Sequence, residues 1–312
     1  MDSPAGPQHL LVTGGTGFIG RHLVAQLLGQ GHRVTVLTRR ELLPAAMAHP
    51  QLRACTRLEQ IGTADAVDAV VNLAGARILG VPWTQARRQA LLDSRVAFTQ
   101  RLVRWIAGLQ ARPRILVSGS AIGYYGVQAD GDDRVLTEAD GPQPVFMSDL
   151  CRQWEEAAGE AVRHGVQVAC LRFGLVLGHG GALPMMLLPV RLGLAGRLGS
   201  GRQWMSWVHV EDVVRAIGHT LQTPQRVAVA GNAYNVTAPE AVRQIDFNCA
   251  AARVLHRPCV LPAPAWPLRL LLGEQSQLLL DGQRVAPARL ESEGFAFRHP
   301  GLQAALQQLL KG

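Results

Sequence analysis

Leu11-Val-Thr-Gly-Gly-Thr-Gly-Phe-Ile-Gly20 is a short apolar run ending in Thr13, then glycines spaced by three at Gly14, Gly17 and Gly20, then the start of an amphipathic run over Arg21 to Leu28. This reads as a strand, a tight turn and a helix start. One glycine lets the chain swing, a second admits a diphosphate to the main-chain N–H groups, and a third lets the helix lie close on the strand. The phosphates then sit at the positive end of the helix. Gly14, Thr16, Gly17, Phe18, Ile19 and Gly20 are the candidate dinucleotide-binding positions of this turn.

Outward from the turn, strand and helix patterns alternate over roughly the first 220 residues. Strands are expected at His9–Thr13, Arg33–Thr38, Ala69–Leu73, Arg114–Ser118 and Val166–Phe173, with one more, poorly patterned, inside Gln51–Ala66. Helices are expected near Arg21–Leu28, Thr84–Leu109 and Asp149–Arg163. Such alternation implies a doubly wound parallel sheet covered on both faces. A smaller C-terminal substrate-side unit follows: a strand and helix at Ser206–Leu221, a strand at Ala233–Val236, a helix over Pro239–His256, a proline-rich joint from Pro258 to Pro267, and a helix at Leu302–Leu310. The expected division is a nucleotide-binding domain over 8–225 and a C-terminal extension over 249–298.

Composition narrows the class. The chain has 312 residues, 48% hydrophobic and 17% charged, which is a globular balance. The most apolar stretch, Leu183 to Leu198, is broken by Pro184, Pro189, Arg191 and Arg197, so neither a membrane span nor a membrane partner is expected. The N-terminus is polar and carries no secretory signal pattern. Five cysteines, widely spaced and without a CxxC, suit reduced thiols in a cytoplasm rather than a zinc site or a disulfide framework. The net charge of +8 comes from arginines scattered through all segments, which argues against a nucleic-acid surface.

The end of the second strand selects the nucleotide. An acid there grips ribose hydroxyls, and a base accepts a 2′-phosphate. The chain reads Val36-Leu37-Thr38-Arg39-Arg40, so Thr38 and Arg39 favour NADP; Glu41 just beyond keeps NAD open. The plain alternative is a pair of solvated loop arginines. The fourth strand ends in Asn72-Leu73-Ala74-Gly75, whose small residues leave room for a ligand across the sheet edge.

Together, Thr13-Gly-Gly-Thr-Gly-Phe-Ile-Gly20, Asn72-Leu-Ala-Gly75, Tyr125-Gly126 and Ser206-Trp-Val-His-Val-Glu-Asp-Val-Val214 resemble the extended short-chain dehydrogenase/reductase superfamily, which includes nucleotide-sugar epimerases and dehydratases. More narrowly, Trp83-Thr84, Ser94-Arg95, Gly123-Tyr-Tyr-Gly126, Trp154-Glu155, Leu171-Arg-Phe-Gly-Leu-Val-Leu-Gly178, Gly199-Ser-Gly-Arg-Gln203 and Gly282-Gln-Arg-Val285 resemble atypical epimerase-family proteins with a distinctive C-terminal extension. The resemblance implies NADP contacts at the glycine turn, at Thr38 and Arg39, at Leu73 and Ala74, at Arg95 and at Val176. It also implies a homodimer formed through two long helices.

The chemistry departs from the superfamily. Its usual acid or base is a tyrosine with a lysine four residues later. Here the corresponding helix begins Phe146-Met-Ser-Asp-Leu150, and the only lysine of the chain is Lys311. The serine that normally assists falls on Ala121, with Ser120 one residue away. Tyr125, Tyr124 and Ser120 are therefore the candidate catalytic residues, with Arg77 or Arg95 as a replacement cation; aromatic packing is the alternative for each tyrosine. Glu138 and Glu155 read as solvent-facing carboxylates, Asp212 as a helix N-cap and His209 as a packed histidine. No spacing suggests a metal. Gly178 to Gly201 reads as a mobile apolar wall or lid, with Arg191, Arg197, Arg202 and Arg284 available to an anionic substrate of unknown identity. Two functions follow: an NADP-dependent oxidoreductase or epimerase acting on a carbonyl or nucleotide-sugar, or a non-catalytic NADP-binding redox sensor working through a protein partner.

Overall fold

The fold is a computed structural model that describes residues 6–39, 43–62, 65–78, 80, 83–223 and 233–311; Arg40, Glu41 and the expected boundary at 225 lie outside them. The strands are β1 His9–Thr13, β2 Arg33–Leu37, β3 Leu52–Cys55, β4 Ala69–Asn72, β5 Ile115–Ala121, β6 Gln167–Phe173, β7 Leu175–Leu177, β8 Trp204–Met205, β9 Trp207–His209, β10 Ala233–Val236 and β11 Val242–Arg243. The helices are α1 Phe18–Gly29, α2 Gln85–Leu92, α3 Phe98–Ala107, α4 Phe146–Gly159, α5 Leu183–Arg191, α6 Val210–Gln222, α7 Gln244–Val254, α8 Ala265–Leu272, α9 Gln277–Leu280, α10 Ala288–Ser292 and α11 Leu302–Lys311.

Seven strands form one parallel sheet in the order β10-β6-β5-β4-β1-β2-β3. The order reverses between β1 and β4, which opens a crevice at the carboxyl edge of the sheet, the position where ligands bind in doubly wound folds. Alternate residues serve opposite faces. Leu10, Val12, Val71, Val117 and Leu171 pack under α1 and α6, while Leu11, Val70, Leu116 and Val168 pack under α3 and α4. Both faces are buried, which explains why these strands read as continuous apolar runs.

A second core lies beyond the sheet, where Leu183, Leu187 and Val190 of α5 meet Phe247 of α7 and Leu306 of α11. This corrects the expectation for Gly178 to Gly201. The stretch contains a helix with one face fully buried, and its first glycines, at 178, 180 and 181, close around the Phe18 ring, where an added Cβ would lie within 3 Å of it. The glycines there serve close packing.

Three other expectations change. The expected helix Thr84–Leu109 is α2 and α3 joined by a wide π-type turn at Asp93–Ala97. The unit at Ser206–Leu221 does form a strand and a helix, but β9 pairs with β7 outside the main sheet. Finally, Cys249 and Cys259 are joined as a disulfide, with Cα atoms 5.3 Å apart, whereas Cys55, Cys151 and Cys170 are free and buried. A turn after α7 folds the chain back on that helix, bringing together two cysteines that look unrelated in sequence.

Candidate dinucleotide and active site

The glycine turn has the geometry its spacing implies. Gly14 adopts φ +68°, and a Cβ there would strike the Leu73 carbonyl oxygen at 2.6 Å and the Ala74 nitrogen at 3.0 Å. Thus the turn presses directly on the end of β4. Gly20 lies so close to the turn that a Cβ would sit 2.2 Å from the Gly14 oxygen. Gly17 caps α1 in extended conformation with no side-chain cap, and no acidic residue stands in the first turn. The first N–H groups of α1 are left for an anion. A side chain at Gly14 would collide with the end of β4 and one at Gly20 with the turn itself, so the glycines are what let the turn close in this form.

Around it the floor of the crevice is tied by short polar contacts. Thr13 Oγ1 donates to Asn72 Oδ1 at 2.7 Å and accepts from the Ala74 N–H at 3.2 Å. Asn72 Nδ2 donates to Thr99 Oγ1 at 2.9 Å, and Trp154 Nε1 donates to the same hydroxyl at 3.1 Å. At the end of β2, Thr38 is buried and Arg39 is exposed. Val176 is half-buried on β7 beside the glycines that enclose Phe18.

Arg95 occupies the wide turn between α2 and α3. The extra residue in such a turn changes the helix phase, and π-turns of this kind recur at functional sites. Here it carries Arg95 inward. The guanidinium lies 5.3 Å from the centroid of the Trp154 ring, donates to the Ala76 carbonyl at 3.0 Å, and would be 3.1 Å from a Cβ on Gly75. Burial lowers its pKa from the ordinary arginine value, so an anion at this edge gains a poorly solvated cation. Arg77, the other candidate cation, is exposed on the surface.

The catalytic candidates are placed more tightly than the sequence suggests. Ser120 is buried, and its hydroxyl donates to Glu155 Oε1 at 2.7 Å. Tyr125 is 1% exposed; its hydroxyl donates to Asn235 Oδ1 at 2.7 Å and accepts from Arg172 Nη1 at 2.9 Å. Burial pushes the Tyr125 phenol up to about 12 despite the adjacent guanidinium. Tyr124 is half-buried in the short turn after β5, and the Arg172 guanidinium lies 3.4 Å from its ring centroid.

Arg172 organises this group and was not singled out from the sequence. Its Nε and Nη2 both bond Glu155, each at 2.8 Å, with side-chain exposures of 5% and 14%. Burial opposes its charge, but the carboxylate of Glu155 holds its pKa above the ordinary range. Ser120 and Arg172 stand side by side across β5 and β6, a register that a linear motif does not reveal. Glu155 is thus an interior anchor rather than a solvent-facing carboxylate. Glu138 is also engaged, accepting from the Asn235 and Arg289 main-chain N–H groups.

On the opposite side of the sheet, Asp212 is fully buried and is not the cap of α6. His209 caps that helix, its Nδ1 accepting from the Glu211 N–H. Asp212 instead accepts the main-chain N–H groups of Arg298 at 2.8 Å and His299 at 2.9 Å. His209, Glu211 and His299 bring ligand-capable atoms within 4.8 Å of one another. Both His209 nitrogens are already engaged, Nε2 with Gln308, and His299 Nε2 bonds Glu211. The cluster reads as an interlock between α6 and the C-terminal segment. Arg202 and Arg284 are likewise committed, the first to Asp130 and the second to the Asp133 carbonyl.

The strand order, the glycine turn and the anion-ready start of α1 define a dinucleotide-binding protein of the extended short-chain dehydrogenase/reductase type. The chain belongs to the NAD dependent epimerase/dehydratase family, whose model matches residues 10–237. A domain of unknown function (DUF1731) matches residues 263–309. The epimerase family protein SSP1921 of Staphylococcus saprophyticus is 38% identical over 307 residues, covering 97% of this chain and 99% of the relative. The human epimerase family protein SDR39U1 (isoform 2), crystallised with NADPH, superposes with a TM-score of 0.84 at 31% identity, covering 98% of this chain and 100% of the other. A nucleoside-diphosphate sugar epimerase from Corynebacterium glutamicum superposes with a TM-score of 0.75 at 28% identity, covering 98% of this chain and 58% of the other. Among the described residues, no helix is long and apolar enough to cross a membrane.

Proposed function

We propose that the protein is an NADP(H)-dependent oxidoreductase that acts on a carbonyl or carbinol carbon, with a nucleotide-sugar or related small molecule as substrate. The glycine turn would hold the diphosphate, Thr38 and Arg39 the 2′-phosphate, Leu73, Ala74 and Gly75 the passage across the sheet edge, and Arg95 and Val176 the nicotinamide half. A nicotinamide bound there supplies or accepts hydride. In the reducing direction the carbonyl oxygen needs a proton, and Tyr124 is the one phenol among the described tyrosines that is not fully buried. Its Oη would give up the proton to the carbonyl oxygen. The observation that supports this reading is the stacking of Tyr124 on Arg172, whose guanidinium lies 3.4 Å from the ring centroid.

A second reading, an NADP(H)-occupied regulator working through a protein partner, draws support from the commitment of the Tyr125 and Ser120 hydroxyls to internal bonds. Buried, unpaired Cys55, Cys151 and Cys170 support a cytoplasmic setting; the Cys249–Cys259 pair opposes it. A homodimer through α3 and α4 belongs to the same proposal, and no nucleic-acid role does.

The test is NADPH oxidation by the purified chain across a panel of carbonyl compounds and nucleotide-sugars, beside a fluorescence titration of NADPH. The oxidoreductase reading expects turnover that Tyr124→Phe lowers about a hundredfold with NADPH affinity unchanged. Binding without turnover leaves the regulator. No response to NADPH or NADH defeats both.

A further inference from the structure

The apolar residues that the fold leaves on the surface are concentrated in one region. Helix α5 presents Met185, Leu188 and Leu192 just beyond its end, at 68%, 58% and 66% exposure. Helix α8 presents Trp266, Leu270 and Leu271, at 69%, 78% and 71%. The two helices are joined by a ribbon in which residues 194–199 run beside residues 258–263. Its bridges are Ala195 to Cys259 and Leu198 to Ala263, and it adds the exposed Leu194 and Val260. Of the large apolar side chains left exposed among the described residues, only Val135 lies elsewhere.

The charge of this region is one-sided. Neither residues 178–210 nor residues 247–273 contain an aspartate or a glutamate. Arg191, Arg197, Arg253 and Arg257 are all exposed within those stretches. Carboxylates from other segments meet its margins: Asp281 lies within reach of Arg269, Glu274 is paired with Arg88 of α2, Asp130 with Arg202, and Asp133 accepts from Trp204 Nε1.

We propose that this strip is a docking surface for an anionic phospholipid bilayer. Exposed tryptophan and leucine beside arginine, without acidic residues, is the composition of a segment that seats its apolar side in the acyl boundary and its cations among headgroups. An apolar area of this extent on a soluble fold marks an interaction site. A second copy of the chain is a poor occupant, because a two-fold interface would set these arginines against themselves. A groove-bound peptide is also a poor occupant, because the apolar side chains project outward instead of lining a recess. Attachment of this kind needs no spanning helix. It rests on the surface composition alone and is independent of the cofactor reading.

The experiment is co-sedimentation of the full chain with vesicles of phosphatidylcholine alone or with about 30% phosphatidylglycerol. The expected result is at least about tenfold stronger partition to the anionic vesicles, lost in about 0.5 M NaCl. Trp266→Glu and Leu270→Glu should each lower that partition about tenfold while the circular-dichroism spectrum and the urea midpoint stay unchanged and certify the fold. Equal partition to both vesicle types overturns the proposal, as does failure to pellet or indifference to the two substitutions. A concentration-dependent dimer that the same substitutions abolish also overturns it, by assigning the strip to a second copy.

Discussion

Arg39 stands exposed just past the end of β2, one residue after the buried Thr38. On the proposed reading a guanidinium there grips the 2′-phosphate bidentately, which a lysine or a neutral residue does less well. A charge-assisted pair of this kind is worth about 1.5–3 kcal/mol. Arg39→Ala is therefore expected to weaken NADPH about 10- to 100-fold and NADH hardly at all, as read by parallel calorimetric titrations; equal losses for the two nucleotides would remove the case for NADP. Ser120 shows the opposite situation. Its type and position suggest catalysis, yet its side chain points under α4, where its hydroxyl is taken by Glu155. A one-residue shift along a strand exchanges faces, and that single step separates an active-site serine from an interior one.

Helix α4 carries the pairing on which the catalytic candidates depend. Glu155 holds Arg172 through two bonds and Ser120 through a third. Removing the charge of one partner strands the other in the interior, which costs about 3–5 kcal/mol for a buried pair. Glu155→Gln is expected to lower the unfolding free energy by about 3 kcal/mol, visible as a shift in the urea midpoint at constant slope, whereas Glu156→Gln on the exposed side of the same helix should leave the midpoint nearly unchanged. The elements themselves were legible in the sequence to different degrees. The turn from β1 to α1 was clear, because its glycines are each required by a close approach. The wide turn at Asp93–Ala97 was not, because one extra residue inside an amphipathic run leaves no compositional mark. Asp212 and Glu155 were misread for a common reason. Their partners, the Arg298 and His299 main chain and the Arg172 side chain, lie far along the chain and meet them only once the sheet is assembled.

For the molecule as a whole, two buried phenols contribute, beside the buried thiols of Cys55, Cys151 and Cys170, to a loss of stability at alkaline pH. Burial pushes Tyr125 and Tyr234 up to about 12, above the ordinary tyrosine value. Because the folded-state values are raised, the contribution is fully present below pH 10 and is lost as the pH climbs toward 12. The slope is at most about 1.4 kcal/mol per pH unit for each tyrosine. Urea unfolding across that interval should show stability falling, and Tyr125→Phe should flatten the fall; a profile unchanged by the substitution would place the loss elsewhere.

The position of β10 at the end of the sheet, beside β6, has a consequence for biosynthesis. A nascent chain emerges from its N-terminus, so β1 to β6 can assemble while residues 233–236 are still inside the ribosome. During that interval β6 is an open edge, the kind of surface at which incomplete chains stick to one another. Tyr125 likewise waits for Asn235 before its hydroxyl has an acceptor. Slow translation just downstream of β6 would prolong this vulnerable stage, and fragments that stop short of β10 would need a chaperone to remain dispersed.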